Sequence, residues 1–262
     1  MGMELERETG WKLHPIGGDT GQAYMGTKDE EKLFLKRNSS PFLAALSLEG
    51  ISPKLIWTKR IGNGDVLTAQ EWCNGRNLFK DEMHSSRVAK ILKKVHQSES
   101  LKRMLQRVGG RFIHPKDLLS EYRANLASEL IEHPQLKKAH QWLIDTKLEI
   151  IIDSEISVCH GDVSRKNWLL SEEDQLYLVD WDSAILADLA YDIGQLFSRY
   201  IEKKEWNDWL REYDHEISES FLQRINWYVI MTLLMDVKEA HRKGQFIKMN
   251  NAIVKIDQLM SV

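Results

Sequence analysis

The stretch His160-Gly161-Asp162-Val163-Ser164-Arg165-Lys166-Asn167, followed after a short hairpin by Asp180-Trp181-Asp182, restricts this chain more than any other feature. Ile156 to Cys159 is an apolar approach, Trp168-Leu169-Leu170 begins a strand, Ser171 to Asp174 is a polar turn, and Leu176 to Val179 is the returning strand. A hairpin placed this way brings the loop before it and the Asp after it to the same end. Asp162 is then able to orient and deprotonate a hydroxyl, Asn167 offers an amide oxygen to a metal, and Asp180 offers a carboxylate that bridges metal and phosphate. Singly, these residue types are ordinary turn formers. In this order they fit phosphoryl transfer to an alcohol, with Asp162 as base and Mg²⁺ on Asn167 and Asp180.

With 262 residues, 42% of them hydrophobic and 29% charged, the chain can bury a sizeable core, as one large domain or two small ones sharing a cleft. A net charge of -3 gives no electrostatic case for direct nucleic-acid binding. The opening Met1-Gly2-Met3-Glu4-Leu5-Glu6 lacks the basic and apolar parts of a signal peptide, and no apolar run approaches the roughly 20 residues of a membrane span. Cys73 and Cys159 lack metal-ligand spacing. A cytoplasmic location is expected.

The pattern changes along the chain. Trp11 to Leu13, Gln22 to Met25, Lys32 to Lys36, Lys54 to Arg60 and Asp65 to Trp72 read as short strands, punctuated by Gly17-Gly18, Gly62-Asn63-Gly64 and Asn74-Gly75. Helical periodicity dominates afterwards. Val88, Ile91, Leu92 and Val95 form one stripe after a Ser85 or Ser86 cap, and Leu118, Leu119, Tyr122, Leu126 and Leu130 form another after Pro115. Trp206 to Tyr213, Glu219 to Glu239 and Phe246 to Met260 read as three closing helices. The expected fold class is α+β and bilobal, like a protein kinase: a small β-rich N-lobe over 1–72, a hinge at 73–76, and a larger, mostly helical C-lobe over 77–262.

The N-lobe carries a candidate nucleotide site. Gly17, Gly18, Thr20 and Gly21 lie between two strands, where glycines let backbone N–H groups approach phosphate. The segment lacks the Lys-Ser/Thr ending of a Walker A loop, and a Gly-Gly turn is also an ordinary hairpin turn. Lys36, ending Leu33-Phe34-Leu35-Lys36, stands where a kinase places its phosphate-binding lysine, although a solvated strand-end lysine would look the same. In Gln70-Glu71-Trp72-Cys73-Asn74-Gly75, the Glu71 C=O and the Cys73 N–H are candidates for the adenine edge of ATP.

Together these residues resemble the aminoglycoside phosphotransferase and choline kinase superfamily of eukaryotic-like kinases. His-Gly-Asp-x-x-x-x-Asn at His160 to Asn167 and Asp-Trp-Asp at Asp180 to Asp182 are the most specific elements, and Asp188 to Gly194 is similar to that family's following stretch. Leu33 to Leu43 and Pro53 to Thr58 resemble the narrower CcrZ/YtmP type, a cell-cycle regulator and phosphotransferase group of Gram-positive bacteria. The resemblance implies a nucleoside or ribose-like hydroxyl substrate, and a division or replication protein as partner. Choline, ethanolamine, thiamine and aminoglycosides compete as substrates, and a kinase-like scaffold without catalysis is the alternative of another class.

A kinase fold usually pairs the phosphate lysine with a glutamate on the next helix. Here the helix expected at Pro41 to Leu48 has its only acid, Glu49, at the far end, so Asn38, Ser39 or no partner remains for Lys36. The interval from Asp182 to Asp192 leaves no room for a regulated activation segment, which favours a small-molecule substrate. Asp182 either binds substrate or metal or closes a turn. Asp192 is expected to accept backbone N–H bonds from the catalytic loop, and His160 to make a structural hydrogen bond. Arg165 or Lys166 either stabilises phosphoryl charge or is solvated. Trp206, Trp209, Trp227 and Tyr228 form either an aromatic wall or core, and Glu121, Asp208 and Glu212 are acids available to a cationic substrate if they converge.

Overall fold

The computed structural model describes residues 6–7, 9–16, 22–62, 64–146, 148 and 155–261. In chain order the strands and helices begin with β1 (Lys12–Pro15), β2 (Ala23–Lys28), β3 (Glu31–Arg37), α1 (Phe42–Leu48), β4 (Leu55–Arg60), β5 (Val66–Glu71) and β6 (Gly75–Asn77). Helices then dominate: α2 (Ser86–Gln97), α3 (Glu99–Arg107), α4 (Pro115–Arg123), α5 (Ser128–Glu132) and α6 (Pro134–Asp145). The strands β7 (Ile156–Cys159), β8 (Trp168–Ser171), β9 (Leu176–Leu178) and β10 (Ile185–Asp188) interrupt them. The chain closes with α7 (Ala190–Tyr200), α8 (Trp206–Tyr213), α9 (Glu219–Arg242) and α10 (Phe246–Met260).

The chain divides into two compact units. The first comprises Met1–Leu78, Glu99–Gly109 and Arg165–Ser183. Its main sheet is antiparallel throughout, in the order β1-β2-β3-β5-β4. Alternation along the strands sends Trp11, Leu13, Leu33, Leu35, Leu67 and Ala69 to one face, where they form a core with Ile61. Leu35 is wholly buried, which contributes roughly 1.5–3 kcal/mol relative to leaving it in water. In α1, Phe42 and Leu46 are buried one turn apart, and Phe42 meets Trp181 edge to face at 5.8 Å.

The hairpin β8–β9 carries a third strand, β6, on its outer edge. Gly75 is required there: a Cβ would lie 2.2 Å from the Leu170 carbonyl oxygen. The hairpin is also tied to the segment after α1, because Leu178 donates its N–H to the Ile51 carbonyl at 2.9 Å.

The second unit comprises Phe79–Ser98, Gly110–Ser164 and Ala184–Val262. It is mostly helical, with one two-stranded antiparallel ribbon, β7–β10. Helix α9 runs three residues beyond the predicted end and is buried on nearly all sides. It is capped by Ser218, whose Oγ accepts from Phe221 N–H at 3.1 Å. Gly194 of α7 lies so close to Tyr228 of α9 that a Cβ would approach the Tyr228 Cβ to 2.5 Å. Among the described residues no helix is long and apolar enough to cross a membrane.

Candidate active site

In the first unit, Lys36 projects from β3 onto the acids that follow β9. Its Nζ donates to Asp182 Oδ2 at 2.7 Å and to Asp180 Oδ1 at 3.1 Å. The helix acid expected of a kinase is thus replaced by the two acids of Asp180-Trp181-Asp182. Asn38 and Ser39 are engaged elsewhere, which corrects their candidacy. Asn38 Nδ2 donates to Asp65 Oδ1 at 3.0 Å, and Ser39 Oγ accepts from Thr68 Oγ1 at 2.9 Å. Burial pulls the Lys36 ammonium down, but hydrogen bonds to Asp182 and then Asp180 outweigh it, and its pKa is raised. Both carboxylates are about half exposed, at 52% and 54%, so the pairs contribute at most about 1 kcal/mol each to stability.

Asn167 is buried at the mouth of the hairpin, and its backbone carbonyl accepts from Val179 N–H at 2.8 Å. That bond places residue 167 beside the residue preceding Asp180. Asp180 itself has φ +63°, a left-handed conformation that aspartate and asparagine adopt at turns more readily than other side chains. The chemistry of the donor set suits a hard divalent cation: an amide oxygen from Asn167 and carboxylates from Asp180 and Asp182, with no sulfur or imidazole among them.

The other nucleotide-side residues are more modestly placed. Glu71 ends β5 opposite Leu33, and its N–H donates to the Lys54 carbonyl at 2.8 Å. Cys73 is half-buried, and burial followed by repulsion from Glu173, Glu71 and Glu172 pushes its thiol up. Gly17, Gly18, Thr20 and Gly21 lie outside the described residues.

In the second unit, β7 delivers the chain into the loop that holds Asp162. Asp192, in the first turn of α7, straps this loop down. Its Oδ2 accepts from His160 N–H at 2.7 Å and its Oδ1 from Gly161 N–H at 3.0 Å. His96 Nε2 lies 3.2 Å from the same carboxylate, and its Nδ1 lies 2.7 Å from the Tyr213 hydroxyl. With Nε2–H donating to Asp192 and the tyrosine O–H donating to Nδ1, every group of this buried chain is satisfied. His160 Nδ1 accepts from Asp162 N–H at 3.2 Å. Gln195 adds a second strap: its Oε1 accepts from Val163 N–H at 3.3 Å and its Nε2 donates to the Gly161 carbonyl at 2.9 Å.

Asp162 Oδ1 accepts from Ser164 N–H at 3.3 Å and lies 3.9 Å from Arg199 Nη1. Arg199 in turn grips Asp236 with two nitrogens, Nη2 to Oδ1 at 2.9 Å and Nε to Oδ2 at 3.3 Å. Gln195, Arg199 and Asp236 belong to no motif in the sequence. The available signal was the spacing of Asp192, Gln195 and Arg199, one polar stripe at i, i+3 and i+7 on an otherwise apolar helix.

Other candidates lie in the core or on the surface. Trp206, Trp209, Trp227 and Tyr228 are all buried, with Trp227 Nε1 donating to the Leu143 carbonyl at 3.0 Å, so they are core rather than an aromatic wall. Arg165 and Lys166 are exposed. Asp208 pairs with Arg211 on its own helix.

The fold and these residues together define a kinase-like phosphotransferase. The model of the phosphotransferase enzyme family matches residues 12–225, and the chain belongs to that family. It is an enzyme that transfers phosphoryl groups to hydroxyl acceptors. Among solved structures it is similar to the choline kinase LicA from Streptococcus pneumoniae, with TM-score 0.64 and 16% identity over 98% of this chain and 97% of that one. It is also similar to a GDP complex of aminoglycoside 2'-phosphotransferase-IIIa, with TM-score 0.70 and 13% identity over 99% and 97%. A spectinomycin phosphotransferase in complex with ADP and spectinomycin gives TM-score 0.66 and 13% identity over 99% and 97%. These likenesses establish the α+β fold with its N-terminal antiparallel sheet and helical C-terminal part.

Proposed function

We propose that the protein is an ATP- and Mg²⁺-dependent small-molecule kinase whose acceptor is a hydroxyl of a nucleoside or a ribose-like sugar. The observation that carries this reading is Lys36 held between Asp180 and Asp182, which joins a phosphate-binding lysine to a set of hard oxygen ligands. Asn167 and Asp180 would hold Mg²⁺, which offsets charge on the nucleotide phosphates when bound. Lys36 donates to phosphate oxygens, and the glycine-rich segment with Gly17, Gly18, Thr20 and Gly21 adds backbone N–H groups. The Glu71 C=O and Cys73 N–H take the adenine edge. Asp162 orients the acceptor hydroxyl and accepts its proton, in a loop that Asp192 and Gln195 hold still. Domain bounds of 1–72, 73–76 and 77–262 and a cytoplasmic location belong to the same reading.

The sugar acceptor, and a division or replication partner, rest on the similarity of Leu33 to Leu43 and Pro53 to Thr58 to the CcrZ/YtmP type. The test is ATP consumption by the purified protein with Mg²⁺ against nucleosides, deoxynucleosides, ribose, choline, thiamine and aminoglycosides, with mass spectrometry of the products. A phosphorylated nucleoside or sugar made by the intact protein and not by Asp162→Ala supports the reading. Phosphorylation of only a cationic alcohol moves the acceptor, and full activity in Asp162→Ala overturns the base.

A further inference from the structure

Two buried polar atoms beside Asp162 have no hydrogen-bond partner: Arg199 Nη1 and Ser164 Oγ. Both belong to residues that already approach Asp162 Oδ1, Ser164 through its N–H at 3.3 Å and Arg199 through Nη1 at 3.9 Å, which is beyond hydrogen-bond reach. Buried atoms of this kind that line a candidate site are open to a ligand or water. The guanidinium is not free to turn elsewhere, because its other two nitrogens are engaged by Asp236.

We infer that Arg199, clamped by Asp236, is an acceptor-binding residue that selects a neutral polyhydroxyl substrate, with Ser164 Oγ as its companion. The inference rests on the kinase reading above and deepens it. A guanidinium N–H only donates, so it needs an oxygen on the acceptor other than the one that reacts. A sugar ring supplies such an oxygen next to the reacting hydroxyl, and Ser164 Oγ can give to or take from a further one. A quaternary ammonium alcohol has no second oxygen for the arginine to donate to. An anionic acceptor supplies oxygens but brings negative charge into a cluster that is already negative. Asp162 and Asp236 both flank Arg199, so the cluster as a whole carries more negative than positive charge. A neutral polyol is left as the class that satisfies both orphaned atoms without adding charge.

The test is initial-rate kinetics with Mg²⁺ and ATP on ribose, gluconate and choline as neutral, anionic and cationic probes. The proteins are the intact chain, Ser164→Ala and the double variant Arg199→Gln/Asp236→Asn, which removes both charges and so leaves none buried alone. The intact protein is expected to prefer ribose over the other two by at least about tenfold in kcat/KM. The double variant should lose roughly 10- to 100-fold on ribose, mainly in KM, the size expected for a charge-assisted hydrogen bond. Its nucleotide Kd should hold. Ser164→Ala, a change that leaves no charge unpaired, should raise KM for ribose roughly threefold to tenfold. A preference for choline or gluconate in the intact protein overturns the acceptor class and leaves the kinase reading standing. An equal loss on all three probes reduces Arg199 to a structural role. If no probe is phosphorylated, the neutral-polyol assignment is overturned, whereas the kinase reading stands or falls on the wider acceptor panel above.

Discussion

Lys36 donates to Asp182 over 2.7 Å across 146 residues of sequence, and this contact, rather than a helix glutamate, orients the lysine. A lysine positioned by a helix acid depends on where that helix sits. Here the lysine is positioned by the same turn that carries Asp180, so the cation and both acids are set by one hairpin.

The first prediction follows from that economy. Lys36→Met should lower kcat/KM by roughly 10²–10³, the loss typical of removing one donor to a developing anion. Its effect on stability should stay within about 1 kcal/mol, because the partner carboxylates are half exposed. Steady-state kinetics beside urea unfolding separates the two. A loss of stability without a loss of turnover would place Lys36 outside the phosphate site.

Much of this was legible in the chain. The five strands of the main sheet and the three closing helices follow from alternation and 3.6-residue periodicity, and they fall within a few residues of expectation. What escaped was set by tertiary pairing. Strand β6, Gly75–Asn77, is exposed along its length and is a strand only because β8 lies beside it. Strand β10, Ile185–Asp188, is a fully buried run of four residues with no alternation to betray it. The loop's anchors were partly visible: Asp192 stood in a recognisable motif, whereas Gln195 and Arg199 required the helix face to be drawn. Asp236, 37 residues from Arg199, had no local signature at all.

Asp192→Asn tests how firmly the loop at His160 and Gly161 is held. An asparagine offers one acceptor oxygen where the carboxylate serves the N–H groups of His160 and Gly161 with two, and its NH₂ would face a donor. One buried N–H then loses its partner, which should cost roughly 1–3 kcal/mol. Urea unfolding of the variant reads that cost directly. A change under a few tenths of a kcal/mol would mean that the strap is dispensable.

Gly194→Ala probes the closest approach of α7 to α9. The new methyl would sit 2.5 Å from Tyr228 Cβ and 2.9 Å from the Tyr228 backbone carbon, so the helices must move apart. Overpacking of this kind destabilises by roughly 1–3 kcal/mol, more than the gain in helix propensity of up to about 1 kcal/mol. The expected outcome is a lower Tm. A raised Tm would show that the two helices separate at little cost.

Asp188 gives the second unit a pH signature. The side chain is 1% exposed, its Oδ1 accepts from Ala190 N–H at 2.9 Å, and its Oδ2 lies 3.4 Å from Arg224 Nε without a hydrogen bond. Burial pushes its pKa up to about 6, against the opposing pull of Arg224. In the unfolded chain the group titrates near 3.9. Between these values the folded state keeps a proton that the unfolded state has lost. The stabilisation is therefore full below about pH 4 and disappears as pH rises through about 6. The two-unit separation corresponds to about 3 kcal/mol. Asp188→Asn is neutral in both states and lacks this term, while its Oδ1 can still cap Ala190. Unfolding free energies of the two proteins, measured from pH 4 to 8, should therefore differ in slope, the intact protein losing up to about 3 kcal/mol more over that range. Parallel curves would show that Arg224 keeps Asp188 ionised throughout, and the pair would then act as a buried salt bridge rather than a protonated acid.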